Sequence, residues 1–325
     1  KFYCVANARG DRRFSIETLK RRMAAEEINE GDLLYISVFQ KSDGTPQIYF
    51  VNLTNNTPTE QDLVKAIGVD AITKLFSEIR PLLKDIIMGG YYDNSKGRGP
   101  IAPKDVGDTL EELLGIQTNN RRDADFDGLI EVKSKGTVQT LDTLFTLRPR
   151  FEGTRVAEYE PIDRNRVSAF ARIYGYDSDH HPGYSSLYIT IGSYEAPQNN
   201  QGFYLVVNDE AGQVNVVWKN PDTAKREVAA FWLFADLRDQ LYQKHPSTLW
   251  AKADSRNIDG LVQFRYNEFE FSRAPQFTTF LSLIKLGIIT YDWRGYTTKT
   301  GKYAGKNHGN AWRIKPNAKS ELFGQ

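Results

Sequence analysis

The sequence predicts an α/β (α+β) protein with a mixed central sheet flanked by helices. Helix-like and strand-like segments alternate along the 325 residues, and a hydrophobic content of 40% is sufficient for a substantial core. The sequence contains no internal repeat and no run near the ~18 apolar residues of a membrane span. A single cysteine and an N-terminal stretch without a signal-peptide pattern lead us to expect a cytoplasmic protein without disulfides.

The first segment, residues 1–68, is predicted to form a small α/β module. Residues 16–23 have helical spacing, and the strand-like runs LLYISVF and QIYFVNL flank a Gly-containing loop, as in a hairpin. A second helix is expected to have Thr57 as N-cap and Glu60 in a capping box, and to end at Gly68. The role of this module stays open among a second DNA site, a contact with a protein partner and a packing extension.

Residues 69–325 are predicted to form a larger domain. Pro81 is expected to kink or split its first helix, and Gly115 is expected to end the compact helix DTLEELLG. Strands are predicted in SSLYITIG, GFYLVVND and QVNVVWKN, and a helix in KREVAAFWLFADLRDQLYQK. The last helix, FTTFLSLIKLG, leads into the predicted strand IITYDWRGY.

The run DADFDGLIEVKSK, residues 123–135, combines acids and lysines with a pattern that otherwise indicates a strand. Glu131 and Lys133 are two residues apart and therefore point to the same face of an extended chain. Asp125 lies just upstream, before an Asp-Gly turn signal. Two acids and a lysine are therefore expected to meet at the start of one strand.

These residue types suit metal-dependent phosphodiester hydrolysis. Mg²⁺ prefers carboxylate oxygens and keeps several waters, so Asp125 and Glu131 are candidate ligands, with the backbone carbonyl of Val132 as a further one. Lys133 is suited to polarise the attacking water or to stabilise the transition state. The alternative is an ordinary Glu–Lys pair on a surface strand, which so short a motif does not exclude.

Residues 291–325 are strongly basic, although the net charge of the whole chain is only +1. Seven Lys or Arg residues stand against two acids in this segment, and Tyr and Trp residues are interleaved with them. Such a composition could line a groove that binds DNA phosphates, or it could form a solvated basic tail. Composition alone leaves both interpretations open.

A second cluster, YDSDHHPGY, contains acids and two histidines. A Zn²⁺ site needs three or four converging ligands with tight spacing, whereas Pro182 and Gly183 indicate a turn. We therefore favour a DNA-facing or solvent-exposed loop over a zinc site. The cluster consists of Asp177, Asp179, His180 and His181.

Four separated motifs occur in a characteristic order along the chain. A Gly-x-Thr-hydrophobic-Glu helix start leads to Asp-Phe and then to Glu-x-Lys. The matching residues are Gly107, Thr109, Leu110, Glu111, Asp125, Phe126, Glu131, Val132 and Lys133. The elements TLDTLFTLRPR, YDWRG and KNHGNAWRI follow. Together they resemble the MvaI/BcnI restriction endonucleases, in the branch of the PD-(D/E)XK nuclease fold that also contains the mismatch-repair nickase MutH.

The resemblance implies roles for individual residues. Asp125 and Glu131 would bind Mg²⁺, for which Mn²⁺ could substitute, and Lys133 would assist the attacking water. Glu111 would approach the same site from its helix, unless it only completes a capping box with Asp108. The residues that fall where the family contacts DNA are Asp292, Arg294, His308 and Arg313. Their alternatives are a simple Asp–Arg pair on a strand and a loop histidine without a role.

The function that the resemblance implies is that of a Mg²⁺-dependent type II restriction endonuclease. It would act as a monomer on double-stranded DNA at a short GC-rich site, and would hydrolyse the P–O3′ bond to leave 5′-phosphate ends. One departure from the family pattern is Ala124, which stands where a proline is usual before the first acid. Two alternatives remain: a MutH-like nicking or repair nuclease that a partner activates, and a DNA-binding module without catalysis.

Overall fold

The computed structural model describes residues 2–6, 12–16, 18–40, 46–54, 57–97, 102, 104–116, 123–136 and 140–323. The chain divides into two compact units, Lys1–Leu75 and Phe76–Gln325. The domain boundary predicted from the sequence, after residue 68, lies a few residues before this division and stays a prediction.

The described residues of the first unit that precede Asp70 form two antiparallel hairpins and two helices. The hairpin predicted from LLYISVF and QIYFVNL is confirmed, and it pairs Tyr35 with Val51 and Ile36 with Phe50. Ile16 lies in a strand rather than in the predicted first helix. The elements are β1 (Phe2–Ala6), β2 (Arg12–Ile16), α1 (Leu19–Ala24), β3 (Leu34–Gln40), β4 (Pro46–Asn52) and α2 (Glu60–Ile67).

The N-cap of helix α2 is Thr59, two residues after the predicted N-cap. Thr59 Oγ1 accepts a hydrogen bond from Asp62 N at 3.2 Å, and the Asp62 carboxylate accepts one from Thr59 N at 3.0 Å. This reciprocal pair is a capping box, so the prediction of Thr57 as N-cap was wrong. The predicted stop at Gly68 is confirmed, and Gly68 has the positive φ of 80° common after helices.

The rest of the chain alternates helices and strands. Pro81 lies inside α3, which continues past it as one helix and is not split. The elements are α3 (Ala71–Gly89), β5 (Tyr91–Asp93), α4 (Asp105–Leu113), β6 (Glu131–Gly136), β7 (Asp142–Phe145), α5 (Arg155–Tyr159), α6 (Arg166–Tyr174), β8 (Tyr176–Asp177), β9 (Tyr184–Ile191), β10 (Phe203–Asn208), β11 (Gln213–Lys219), β12 (Arg226–Leu233), α7 (Phe234–Lys244), β13 (Ser247–Ile258), β14 (Leu261–Arg273), α8 (Phe277–Lys285), β15 (Ile289–Thr298), β16 (Gly305–Asn307), β17 (Ala311–Ile314) and α9 (Lys319–Phe323).

The predicted strands at β9, β10, β11 and β15 are confirmed, but the helix predicted from residue 225 onward begins only at Phe234. Residues 226–233 instead form β12, which pairs antiparallel with β11. Their apolar residues fit both periodicities, and pairing with the apolar strand β11 favours the extended form. The sequence analysis did not assign β13 and β14, although their tight turn carries the hairpin signal Asp259-Gly260, with φ of 52° and 84°.

The described strands of the second unit form three sheets. The first has the order β5-β14-β13-β6, and only its β13–β6 pair is parallel. The second has the order β7-β17-β15-β9-β8, with β16 added beside β15, and is antiparallel. The third joins β10, β11 and β12. A mixed sheet with helices confirms the predicted α+β class.

The aromatic residues of the basic C-terminal segment belong largely to the core. Tyr291, Trp293 and Trp312 are at most 1% exposed. Tyr291 and Trp293 alternate along β15 with Asp292 and Arg294, which point to the other face. These three aromatics are therefore core residues, and the segment is not a solvated tail. Within the described part of the chain, no helix combines the length and apolar character needed to cross a bilayer.

His245 connects the first two sheets. Its Nε2 lies 2.8 Å from the carbonyl oxygen of Leu144 beside β7, and its Nδ1 lies 2.7 Å from Thr248 Oγ1 on β13. A carbonyl only accepts, so Nε2 carries the proton and Nδ1 accepts from the threonine hydroxyl. Complete burial, followed by the positive charge of Lys133 and Lys244, lowers the pKa of His245 to about 3.

We expect His245 to make the protein acid-sensitive. The unfolded histidine has a pKa of about 6.5, so between pH 6.5 and about 3 the unfolded chain binds more protons than the folded one. The free energy of unfolding should therefore fall with falling pH, by up to about 1.4 kcal/mol per pH unit from this group. Urea unfolding at pH 7.5 and 5.0 measures the effect. His245→Gln should remove this part of the pH dependence, whereas exposed His308→Gln should not; equal slopes in all three proteins would contradict the assignment.

Candidate active site

A narrow turn brings Asp125 next to the first residues of β6. Phe126 N donates to Ile130 O at 2.9 Å, and the chain reverses through Asp127 and Gly128, whose φ angles are 48° and 69°. The predicted Asp-Gly turn is therefore confirmed. Asp125 Oδ2 accepts a hydrogen bond from Val132 N at 2.8 Å, which holds its carboxylate beside the peptide that follows Glu131.

Glu131 is almost completely buried and is held between two lysines. Its Oε1 lies 2.5 Å from Lys133 Nζ, and its Oε2 lies 2.9 Å from Lys244 Nζ. The Lys244 contact is an ion pair without hydrogen-bond geometry. Lys133 is the neighbour expected from the strand period, but Lys244 comes from the end of α7 and the sequence analysis missed it. Its only sequence signal is a basic residue in the last turn of a predicted helix.

Burial is the largest influence on the Glu131 carboxyl and raises its pKa above the ordinary value. The two lysines lower the pKa, and Asp125 raises it further. The two ion pairs favour the ionised carboxylate, whereas burial favours the protonated form. Burial prevails, because desolvation of a carboxylate in a protein interior commonly exceeds the gain from an ion pair.

Glu111 approaches the same group of carboxylates from α4. Burial, followed by the charges of Asp125, Asp108 and Glu131, raises the pKa of Glu111. The structure contradicts the capping-box alternative, because α4 begins at Asp105 and Glu111 lies well inside the helix. Asp108 instead contacts Lys104 Nζ at 3.4 Å.

Helix α4 is fixed to the first sheet at its N-terminal end. The buried Asp105 accepts from Asn94 Nδ2 at 3.0 Å, beside β5, and Tyr266 Oη on β14 donates to Val106 O at 2.7 Å. Because these bonds join the helix to two strands of the sheet that carries Glu131, they set the distance between Glu111 and the other acids. The helix thus presents a third carboxylate toward a site that already holds two.

The donor set is suited to a hard cation. Carboxylate oxygens of Asp125 and Glu131, with the carbonyl of Val132 between them, are the ligand types that Mg²⁺ takes. Their carboxylates also raise the pKa of Glu111, so negative charge is concentrated where a divalent ion would be favourable. Across the residues that the structure describes, no group of three or more His, Cys, Asp or Glu side chains is arranged as a metal site.

Asp292 forms the centre of a second polar cluster on the sheet that contains β15. Its Oδ1 accepts from Thr190 Oγ1 at 2.7 Å and lies 3.2 Å from Arg294 Nη2, and its Oδ2 accepts from Arg313 Nε at 3.1 Å. Arg313 also donates to Thr143 Oγ1 on β7. We call these five residues the Asp292 cluster. The predicted pairing of Asp292 with Arg294 is present, but Arg313 and both threonines extend it across four strands.

His308 lies apart from this cluster at the exposed end of β16. Its backbone N donates to Arg294 O at 2.8 Å, and its ring lies 5.8 Å from the ring of Tyr188. The structure therefore brings together Asp292, Arg294 and Arg313, and places His308 beside them on the surface without a polar side-chain contact among the described residues.

One cleft connects the Asp292 cluster to Lys133. Its volume is about 1510 Å³, and its lining includes residues of β6 and β13 on one side and of β7, β15 and β17 on the other. Among the described residues that line it, eight are Lys or Arg and three are acidic. Of the basic C-terminal segment, Arg294, Arg313, Lys315 and Lys319 face this cleft.

The histidine-containing run at residues 176–184 lies outside this cleft. Asp177 Oδ1 is 2.7 Å from Lys299 Nζ, and the ring of His181 stacks on Tyr296 with centroids 4.1 Å apart. The aspartate and the histidine thus have separate partners in the described structure and do not converge on one point.

Comparison with known proteins agrees with this fold. The model of the MvaI/BcnI restriction endonuclease family matches residues 82–323. The solved complex of restriction endonuclease MvaI with its cognate DNA substrate is similar over 78% of this chain and 97% of that chain, with 21% identity and a TM-score of 0.63. MvaI in the absence of DNA is matched over 78% and 96%, with 19% identity and a TM-score of 0.45. A search among curated protein sequences finds no significant match.

The likeness to MvaI establishes a restriction-endonuclease fold. Because the family model spans most of the chain, the chain belongs to the MvaI/BcnI restriction endonuclease family, as the motifs in its sequence suggested. It is a site-specific type II deoxyribonuclease, and nucleases of this family generally use divalent metal ions.

We expect Glu131 and Lys244 to affect stability in opposite directions. Because the folded state raises the pKa of Glu131, its ionised form is disfavoured by folding at neutral pH. Glu131→Gln should therefore unfold at a temperature no lower than the wild type. Lys244→Met should lose about 1–3 kcal/mol, less than the ~3–5 kcal/mol of a fully orphaned charge, because Lys133 remains.

Thermal and urea unfolding in EDTA measure both effects. Lys244→Met should cost much less in the Glu131→Gln background, since the charge that it neutralises is then absent. Exposed Glu158→Gln serves as the control for a simple loss of charge. A large destabilisation by Glu131→Gln alone would show that the two ion pairs outweigh burial.

Proposed function

We propose that this enzyme uses Mg²⁺ to hydrolyse the P–O3′ bond of double-stranded DNA at a short GC-rich site, leaving 5′-phosphate ends. The observation that carries the proposal is the grouping of Asp125, Glu131 and Lys133 at the start of β6, with Lys133 in the same cleft as the Asp292 cluster. A substrate bound across this cleft would contact both groups at once.

We assign the metal to Asp125, Glu131 and the carbonyl of Val132, with Mn²⁺ as a substitute. When bound there, the ion would lower the pKa of a coordinated water and neutralise charge on the phosphate. The assignment is supported by hard oxygen donors and by the mutual influence of Asp125, Glu131 and Glu111. Glu111 would complete the acidic group as an acceptor for water.

We assign Lys133 as the residue whose ammonium group takes part in catalysis. It contacts Glu131 Oε1 at 2.5 Å and its side chain is 26% exposed, so it reaches from the carboxylate toward the cleft. From there it can donate a hydrogen bond to the attacking water or to a phosphate oxygen that gains charge in the transition state. Lys244 contacts the other oxygen of Glu131 and acts as a positioning residue.

The Asp292 cluster is assigned to base recognition. Arginine is suited to guanine O6 and N7 in the major groove, and an acid can accept from cytosine N4. Arg294 and Arg313 are about one third exposed or less and are fixed by Asp292 and the two threonines. Guanidinium groups held in this way lose little conformational entropy on binding DNA. His308, beside the cluster, is assigned a further DNA contact.

A digest of plasmid and phage DNA tests the proposed reaction. Discrete fragments should appear with Mg²⁺ or Mn²⁺ and should be absent in EDTA and with Glu131→Ala. Lys133→Ala should abolish cleavage and leave DNA binding nearly intact, whereas Lys285→Ala, which changes a surface lysine outside the cleft, should cleave normally. End sequencing then gives the site and the phosphate position.

Two further results would revise the proposal. Open-circular product without linear DNA would favour the nicking alternative, and its dependence on cell extract would indicate a partner. Cleavage that persists in EDTA, or loss of DNA binding together with cleavage in Lys133→Ala, would contradict the roles given to the metal and to Lys133. As a readout without catalysis, Mg²⁺ should raise the unfolding temperature of the wild type more than that of Glu131→Ala.

Arg313→Ala should weaken binding to the cognate site by about 1–3 kcal/mol and relax selectivity at one base pair. The reason is that its guanidinium would read a base edge, which carries sequence information. Binding to cognate and substituted duplexes, measured by fluorescence anisotropy in EDTA, gives the result. An equal loss on every sequence would instead identify a phosphate contact, and Arg238→Ala, which changes a surface arginine on α7, is the control.

A further inference from the structure

Beyond the catalytic residues, the cleft contains two lysines at the same level of neighbouring strands. Lys135 lies two residues after Lys133 on β6 and therefore points to the same face. Its register partner on the parallel strand β13 is Lys252. Both side chains line the cleft. Because neighbouring strands are about 4.8 Å apart, the two side chains leave the sheet from adjacent positions on the same face.

Each lysine has a carboxylate on its outer side. Lys135 Nζ lies 2.8 Å from Asp142 Oδ1, and Lys252 Nζ lies 2.9 Å from Glu268 Oε2 on β14. Glu268 is the register partner of Lys252 on the side away from β6. From Asp142 on β7 through Lys135 and Lys252 to Glu268, the charges run in the order negative, positive, positive, negative. The middle of the row holds two like charges, and an anion placed between them would be attracted by both.

The two lysines differ in how firmly they are held. Lys135 also donates to Thr140 O at 2.7 Å, and its partner Asp142 is buried. An ammonium has three donors, and among the described contacts two of those of Lys135 are used. The Lys252–Glu268 pair is 47% and 58% exposed and is therefore weak. Lys252 can exchange its carboxylate for another anion, whereas Lys135 stays in place.

We propose that Lys135 and Lys252 together bind one phosphate of the DNA backbone, next to the phosphate that is cleaved. The proposal rests on the proposed function, since it takes the start of β6 as the cleavage point. Lys135 lies about 6.6 Å along β6 from Lys133, so an anion between the lysine pair would be close to the reacting phosphate but separate from it. The site would thus fix the register of the scissile strand.

One more acid lines the cleft near Lys135 and Lys252, but it already has a cationic partner. Glu270 also lines the cleft, but its Oε2 lies 3.3 Å from Lys319 Nζ, which in turn lies over the Trp250 ring at 4.4 Å. Glu270 is therefore already paired with a cation. The anion that enters a cleft whose charged residues are mostly Lys and Arg in a DNA endonuclease is a phosphodiester.

Salt dependence of DNA binding in EDTA tests the proposal without any cleavage. A non-specific duplex serves as the probe, and the slope of log K against log salt concentration is measured. Each phosphate neutralised contributes about 0.9 to this slope. Lys252→Met should reduce the slope by up to ~0.9 and weaken binding roughly tenfold at 0.1 M salt. Lys285→Met, which breaks the equally exposed pair with Asp209 outside the cleft, should change neither.

Two more variants make the result specific. Glu268→Gln frees Lys252 and should tighten binding, whereas Asp209→Asn, its matched control, should not. The double variant Lys135→Met/Lys252→Met should lose no more than one phosphate, ~0.9 in slope. Circular dichroism confirms that each variant is folded. Lys135→Met leaves Asp142 unpaired, and if it does not fold, the single variants Lys252→Met and Glu268→Gln decide the test.

Several outcomes would overturn the inference. A Lys252→Met slope equal to that of Lys285→Met would show that no phosphate binds there. A loss of ~1.8 in the double variant would show two separate phosphates in place of a shared one. Failure of the proposed function would be distinguishable, because it would appear as absent cleavage with Mg²⁺ while the slopes in EDTA still reported on the lysine pair.

Discussion

The buried carboxylate of Glu131 is the constraint on which the rest of the catalytic region depends. Burial opposes its charge, and two lysines from different elements oppose the effect of burial. This arrangement requires contact of Glu131 with Lys133 on β6 and with Lys244 at the end of α7. It also requires α4 to lie close enough for these charges to influence the pKa of Glu111. Carboxylates held this close together are not needed for packing, and a divalent cation would relieve their repulsion.

The two sides of the cleft hold their charged side chains in place in different ways. On the first sheet, Lys133 and Lys135 follow Glu131 on one face of β6, so positive charge is available to a phosphate. On the second sheet, the carboxylate of Asp292 holds two arginines that would otherwise repel each other, and threonine hydroxyls complete the hydrogen bonds. Side chains fixed by such contacts in the free protein need little reordering on binding. His245 forms a hydrogen bond to a residue of each sheet and so links the two sides.

The sequence predicted the local parts of this site and missed those that depend on tertiary contacts. A period of two placed Glu131 and Lys133 on one face, and the Asp-Gly turn placed Asp125 before them, because both are local geometry. Lys244 could not be found in this way, since only the packing of α7 brings it to Glu131. Composition left open whether the basic segment with its interleaved aromatics lines a groove or forms a solvated tail, whereas alternation along β15 directs Tyr291 and Trp293 into the core. Strand β12 was read as a helix because its apolar spacing satisfies both periods.

Charge balance inside the cleft connects recognition with catalysis. Among the described residues, five lysines that line the cleft have a carboxylate within ion-pair distance in the free protein: Lys104, Lys133, Lys135, Lys252 and Lys319. Incoming phosphates compete with those carboxylates, and the exposed pairs exchange more easily than the buried ones. Binding energy would therefore come first from the outer lysines, while the buried pair of Glu131 and Lys133 keeps its geometry. A cleft built in this way would attract any duplex, and under the proposed function the choice among sequences would fall to the arginines held by Asp292.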